Sequence, residues 1–158
     1  MAIVKVKVPA TTANLGPGFD SLGCALTMYN NFEFDDSTDS LFISGCDAKY
    51  CNADNLCYFG YKSVLDELGI SDTGISIKID ANIPISRGLG SSSTLLVAGA
   101  MAANQLNGNK LSKDAILNLT TKIEGHPDNL TPAIYGGLTA SFVDDGNPYI
   151  ARFSISDE

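Results

Sequence analysis

Residues 84–93 read Pro84-Ile85-Ser86-Arg87-Gly88-Leu89-Gly90-Ser91-Ser92-Ser93. Upstream, Ile75, Ile77 and Ile79 alternate with Ser76, Lys78 and Asp80, the period-2 pattern of a half-buried strand. Downstream, residues 95–106 are apolar or small on nearly every side, which marks a buried helix that Gly108 is placed to stop. The stretch between them is therefore a strand-to-helix loop. Its two glycines let the backbone turn sharply and approach a ligand closely. Its three serines open the helix, where successive N–H groups and the positive end of the dipole favour an anion. Phosphate is the natural guest, serine hydroxyls are oxygen ligands for magnesium, and Arg87 adds positive charge. The plainer alternative is that Ser91 or Ser92 caps the helix and the glycines only turn the chain. A Walker A loop needs Lys after its last glycine, where Ser91 stands. A dinucleotide fingerprint needs a third glycine where Ser93 stands. The G-x-S-x-G nucleophile elbow is also missing.

Outward from the loop, strands and helices mix without regular βαβ alternation, which favours an α+β layer over a doubly wound sheet. Val4, Val6 and Val8 alternate with Lys5 and Lys7 in a first strand that Pro9 is expected to end, and residues 10–20 read as a loop of small residues. A long strand is expected over Cys24 to Phe34, and 41–44 as its hairpin return. Residues 54–68 carry Cys57, Tyr61, Val64, Leu65 and Leu68 at helical spacing, closed by Gly69. Ser112 is placed to cap a further helix with Ile116, Leu119 and Ile123 on one face. Residues 125–137 read as a polar loop with at most one helical turn, followed by two strands around Asp144-Asp145-Gly146-Asn147. The final Ser-Ile-Ser-Asp-Glu is equally compatible with a natural end and with a cut.

The 158 residues suffice for one domain with a sizeable core. Lys+Arg is 10 against Asp+Glu 18, a formal net charge of −8, which argues against a nucleic-acid footprint and against docking on an anionic membrane. Cys46, Cys51 and Cys57 are spaced C-x4-C-x5-C with no paired CxxC, which disfavours zinc. The N-terminal stretch has lysines inside its apolar run and does not read as a signal peptide. A cytoplasmic chain with reduced thiols is the expectation.

Residues 84–93 resemble the central phosphate-binding motif of the GHMP kinases. Val8-Pro-Ala-Thr-Thr-Ala-Asn-Leu-Gly-Pro-Gly-Phe-Asp20 is similar to the N-terminal motif of the homoserine kinases within that superfamily. Glu124-Gly-His-Pro-Asp-Asn129, followed by Pro132-Ala-Ile-Tyr-Gly-Gly137, resembles their third motif. Three motifs in the family's order span most of the chain. The resemblance implies an α+β fold like a ribosomal-protein-type split β-α-β layer, a mixed sheet with helices packed on one face. It implies phosphorylation of the L-homoserine side-chain hydroxyl by ATP with Mg2+, in threonine biosynthesis. By that likeness Pro84, Arg87, Gly88, Leu89, Gly90, Ser91, Ser92 and Ser93 surround the nucleotide, and Asn55 lies near the adenine. Ser92, or as second choice Ser91, ligates magnesium with Glu124. Asn14 and Asp20 hold the homoserine hydroxyl and ammonium, and His126 and Asp128 line the same pocket. Such relatives are often homodimers.

Two departures stand out. Ser93 occupies a position where the family usually has alanine. The family also carries a C-terminal domain that receives the substrate carboxylate on arginines, whereas this chain has only Arg87 and Arg152. The expectation is thus that residues 1–158 form the N-terminal, ATP-binding part, without the C-terminal domain. Asn14 can orient a hydroxyl but cannot deprotonate it, which leaves Asp20 and Asp128 as candidate bases if one is used. Taken singly, each of these residues has a bland reading, as a turn former, a cap or a solvated carboxylate. A Ser92–His126–Asp128 hydrolytic triad is disfavoured, because Pro127 alone separates the last two and should misplace the aspartate. The remaining alternatives are a nucleotide-binding module without turnover and a GHMP kinase for another small alcohol, such as a mevalonate-type one.

Overall fold

The structure, a computed structural model, describes residues 2–18 and 20–154. Phe19 of the N-terminal motif and the final residues 155–158 lie outside the described residues. Six strands form one mixed sheet, β1 Ile3–Thr12, β2 Leu22–Asp35, β3 Leu41–Ser44, β4 Ile75–Asp80, β5 Leu138–Asp144 and β6 Asn147–Phe153. Four helices accompany it, α1 Leu56–Leu68, α2 Ser91–Leu106, α3 Lys113–Glu124 and α4 Leu130–Tyr135. The architecture is the expected α+β layer.

The long β2 organises the sheet. One edge carries β1, and the other carries β4 beside residues 31–35 and β5 beside residues 22–24. Every pairing is antiparallel except β3 with β4. Alternation decides the faces. Val4, Val8, Phe32, Phe34, Ile75, Ile77 and Ile79 are buried, whereas Lys5, Lys7 and Lys78 point to solvent. Against the buried face lies α2, with Leu96, Val97, Ala98, Ala100, Ala102 and Ala103 in the core. The almost unbroken burial of α2 explains why its sequence lacks a polar face.

Two local expectations are corrected. Pro9 does not end β1, which runs on to Thr12 through a register shift between Pro9 and Thr11. Proline lacks the N–H a ladder needs, yet β1 pairs only with β2 among the described residues, and a bulge on such a strand tolerates it. Secondly, β3 does not return as a hairpin partner of β2. It does run antiparallel to β2, but β4 is inserted between them. The β3–β4 pair is parallel and therefore needs a crossover, which α1 supplies.

Helix boundaries follow local chemistry. Asn55 caps α1 by accepting from the Cys57 N–H at 2.9 Å, and Gly69 closes it in the left-handed region. Ser112 caps α3 by accepting from Ala115 N. The short helical turn expected within 125–137 is α4.

Candidate active site

The loop between β4 and α2 forms one wall of a cavity of about 570 Å³. Its course is dictated from beneath. Asn30, buried in the middle of β2, accepts from the N–H groups of Asn82 and Ile83 at 2.8 and 2.9 Å and donates to Thr94 Oγ1 at 2.9 Å. One amide thus pins both the entry to the loop and the first turn of α2. At the loop's far end the N–H of Thr11 donates to Leu89 O at 3.1 Å. Gly90 has φ +63°, and a Cβ there would stand 2.0 Å from Thr11 Oγ1. That hydroxyl is held by its bond to Asn129 Oδ1 at 2.9 Å. Glycine at 90 is therefore required twice, by backbone conformation and by space.

Gly90 is the N-cap of α2 and offers no side-chain cap. Ser91 and Ser92 are already inside the helix, so neither is the cap. The N–H groups of Ser91–Ser93 come before the first intrahelical bond, which Thr94 N makes to Gly90 O. These donors and the helix dipole sit at the cavity wall, the arrangement that receives an anion.

Ser92 Oγ donates to Glu124 Oε1 at 2.7 Å, and Ser93 Oγ approaches the same oxygen at 3.4 Å. Glu124 is the last residue of α3, so the pair joins the start of one helix to the end of another. Asn14, Asp20, Asn55, Arg87, Gly88, Leu89, Gly90, Ser91, Ser92, Glu124, His126 and Asp128 all line this one cavity. Pro84 is exposed outside the lining, and Ser93 is buried beneath it. Asn14 lies against the loop, its Nδ2 2.7 Å from where a Cβ on Gly88 would stand. Asp20 and Ser86 hold φ near +60°, a costly conformation for residues with a Cβ that places both at the cavity rim.

The relation of His126 to Asp128 corrects the expectation drawn from Pro127. Their Nδ1 and Oδ1 atoms are 2.6 Å apart. The turn into α4 folds the buried carboxylate back under the exposed ring, and Asp128 also accepts from Asn129 N at 2.8 Å. The aspartate does orient the imidazole. What speaks against a hydrolytic triad is Ser92, whose hydroxyl is bonded to Glu124.

The donor set fits a magnesium ion. Ser92 and Glu124 present hard oxygen atoms at bonding distance from one another, and Mg2+ takes few protein ligands while keeping its waters. Among the described residues no cluster of three or more His, Cys, Asp or Glu could hold a metal by itself. The lining also places Asp20, Asp54, Glu124 and Asp128 against the single guanidinium of Arg87. Such a wall repels polyphosphate unless a cation lies between them.

Sequence reasoning gave no role to Asn30, Thr11 or Asn129. An asparagine amid the apolar residues of β2 was the available signal for the first. The other two lie inside quoted motifs but meet only in three dimensions.

The family model described as the GHMP kinases N terminal domain matches residues 55–137, and the chain belongs to that family. A homoserine kinase from Clostridium botulinum is 45% identical over 155 residues, which cover 98% of this chain and 52% of that protein. The solved homoserine kinase of Cytophaga hutchinsonii superposes with a TM-score of 0.86 at 30% identity, covering 99% of this chain and 53% of the other. The mevalonate kinase of Methanococcus jannaschii shares the fold, with a TM-score of 0.75 at 18% identity over 97% of this chain and 56% of the other. The chain spans about half the length of the curated relatives it matches.

Proposed function

We propose that the chain is the nucleotide-binding half of a homoserine kinase, transferring the γ-phosphoryl group of ATP to the side-chain hydroxyl of L-homoserine. The observation that carries this reading is the Ser92–Glu124 bond at the uncapped start of α2, opening on the cavity that Asn14, Asp20 and the His126–Asp128 pair also line. The products are ADP and O-phospho-L-homoserine, and the hydroxyl proton leaves to solvent or to a carboxylate.

Phosphoryl transfer through a loose transition state asks mainly for positioning and charge stabilisation. The N–H groups of residues 88–93 face the phosphates, with Arg87 beside them. Ser92 and Glu124 would hold a Mg2+ ion, which would supply charge neutralisation for the transferred phosphoryl group. Asn14, packed on Gly88, orients the acceptor hydroxyl toward the loop, and Asp20 pairs with the ammonium. Asp128 is occupied by His126 and Asn129 N, so its role is to fix the imidazole in the amino-acid pocket. Asn55, at the far wall, lies at the adenine end.

Half the relatives' length favours a second reading, in which this chain binds nucleotide without turning it over. The substrate carboxylate would then await arginines outside residues 1–158. The kinase reading also carries threonine biosynthesis, a cytoplasmic location, a homodimer and no nucleic-acid or membrane partner. Among the described residues no helix is long and apolar enough to cross a membrane.

Calorimetric titration with Mg-ATP, then with L-homoserine, tests the site. Binding of Mg-ATP is expected. Homoserine-dependent ADP formation is expected in a polypeptide spanning the relatives' whole length. Turnover there with mevalonate-type alcohols and not with homoserine would overturn the substrate assignment.

A further inference from the structure

Cys46 and Cys51 flank the 3-10 turn Ala48–Tyr50, and their Sγ atoms are 3.5 Å apart. Both are free thiols and neither is fully buried. A disulfide bond is about 2.0 Å long, so closure needs a movement of roughly 1.5 Å. The turn between them is small and self-contained. Tyr50 N donates to Asp47 O at 2.8 Å and Cys51 N to Ala48 O at 3.2 Å.

Cys46 and Tyr50 line the same cavity as Asn55. Buried Asn55 donates through Nδ2 to Tyr50 O at 2.8 Å, and the same nitrogen stands 3.8 Å from Cys46 Sγ. Its Oδ1 caps Cys57 N at 2.9 Å. One amide therefore joins the cysteine-flanked turn, the cavity wall and the start of α1.

We propose that Cys46 and Cys51 form a redox-responsive dithiol, closed to an intramolecular disulfide by a small-molecule disulfide, and that closure reshapes the cavity wall at Asn55 and weakens nucleotide binding. The nucleotide part rests on the Mg-ATP reading of the cavity. Burial, followed by its bond to Cys51, pushes the Cys46 thiol up to about 11, so Cys46 keeps its proton and the first attack falls to Cys51. The Cys51 thiolate attacks one sulfur of the reagent, giving a mixed disulfide and releasing one thiolate, which takes up a proton. Cys46 then loses its proton and attacks the Cys51 sulfur, releasing the second reagent thiol. Two protein thiols are oxidised and one disulfide is reduced to two thiols.

The test treats the chain with oxidised glutathione and then with excess dithiothreitol. The expected result is a Cys46–Cys51 linkage by peptide mapping, faster hydrogen exchange at the Cys57 amide that Asn55 caps, and Mg-ATP affinity about tenfold weaker, all restored by reductant. Cys51→Ser is expected to bind Mg-ATP like the reduced parent and to ignore the oxidant. No linkage, a linkage to Cys57 instead, or a linked form with unaltered Cys57 exchange and Mg-ATP affinity would overturn the proposal. Should the reduced chain fail to bind Mg-ATP, the reading of residues 1–158 as a preformed nucleotide site falls, while the linkage and the Cys57 exchange still decide the dithiol.

Discussion

Ser92 and Glu124 stand 32 positions apart and meet at 2.7 Å because α2 starts where α3 ends. If Ser92 ligates magnesium, Ser92→Ala should remove the metal dependence of nucleotide binding. The parent chain is expected to bind ATP at least about tenfold more tightly with Mg2+ than without, and the variant to bind both forms alike. An undiminished magnesium effect in the variant would take Ser92 out of that role. The family resemblance named these two residues together, and the structure brings their side-chain oxygens to bonding distance. The His126–Asp128 bond was not legible in the sequence, because a proline between two residues reads as a spacer. The actual direction of Asp128 depends on Asn129 and on the turn into α4. Asn30 was equally hidden. A buried amide has a role only once its three partners are assembled, and all three, Asn82, Ile83 and Thr94, lie more than fifty residues away.

At the scale of elements, α1 and α2 pack through glycine. A Cβ on Gly99 would stand 1.8 Å from Cys57 O, and one on Gly60 would stand 2.1 Å from Leu96 O. Each backbone presses on the other, with no flexible side chain between them to yield. Gly99→Ala should therefore force the helices apart and destabilise the chain by about 3 kcal/mol, although alanine is the better helix former. Urea unfolding checks this, and an unchanged or raised midpoint would show that α1 shifts freely. Because Asn55 opens α1, the same variant should also loosen the far wall of the cavity. The alternation of β1 and β4 and the all-round apolar α2 were plain in the sequence, since period and burial follow directly from side-chain geometry. The glycine contact was not, for a glycine inside an apolar helix reads only as a weak helix former. The partner of β3 was hidden for a different reason. Adjacency along the chain suggests a hairpin, and only the burial of β4 on the inner face shows which strand takes the place beside β2.

Across the whole molecule, the formal charge of −8 at pH 7 makes alkali the vulnerable side, because each further ionisation adds to an existing excess. Three of the groups that resist ionisation, Cys57, Tyr58 and Tyr61, sit on α1. Tyr58 donates to Asp72 Oδ2, and that bond, then burial, pushes its hydroxyl up to about 12. Tyr61 is raised to about 12 chiefly by burial, stacked between Phe34 and Tyr58 with ring centres 6.3 and 6.4 Å away. Burial also holds the Cys57 thiol above its ordinary range. All three bind their protons more tightly folded than unfolded. The stability they confer is therefore complete below the unfolded values, about 8.5 for a thiol and about 10 for a phenol, and is lost as pH climbs toward the folded ones. Solvent screens the share of Tyr58, so Tyr61 and Cys57 should dominate. Urea midpoints are expected to hold steady from pH 7 to about 8, to begin falling near pH 9 and to steepen above pH 10. Tyr61→Phe should keep the first decline and flatten the second, because phenylalanine preserves the stacking and has no proton to lose. If the variant declined as steeply as the parent above pH 10, the alkaline limit would lie in the general charge of the molecule and not in the tyrosines behind α1.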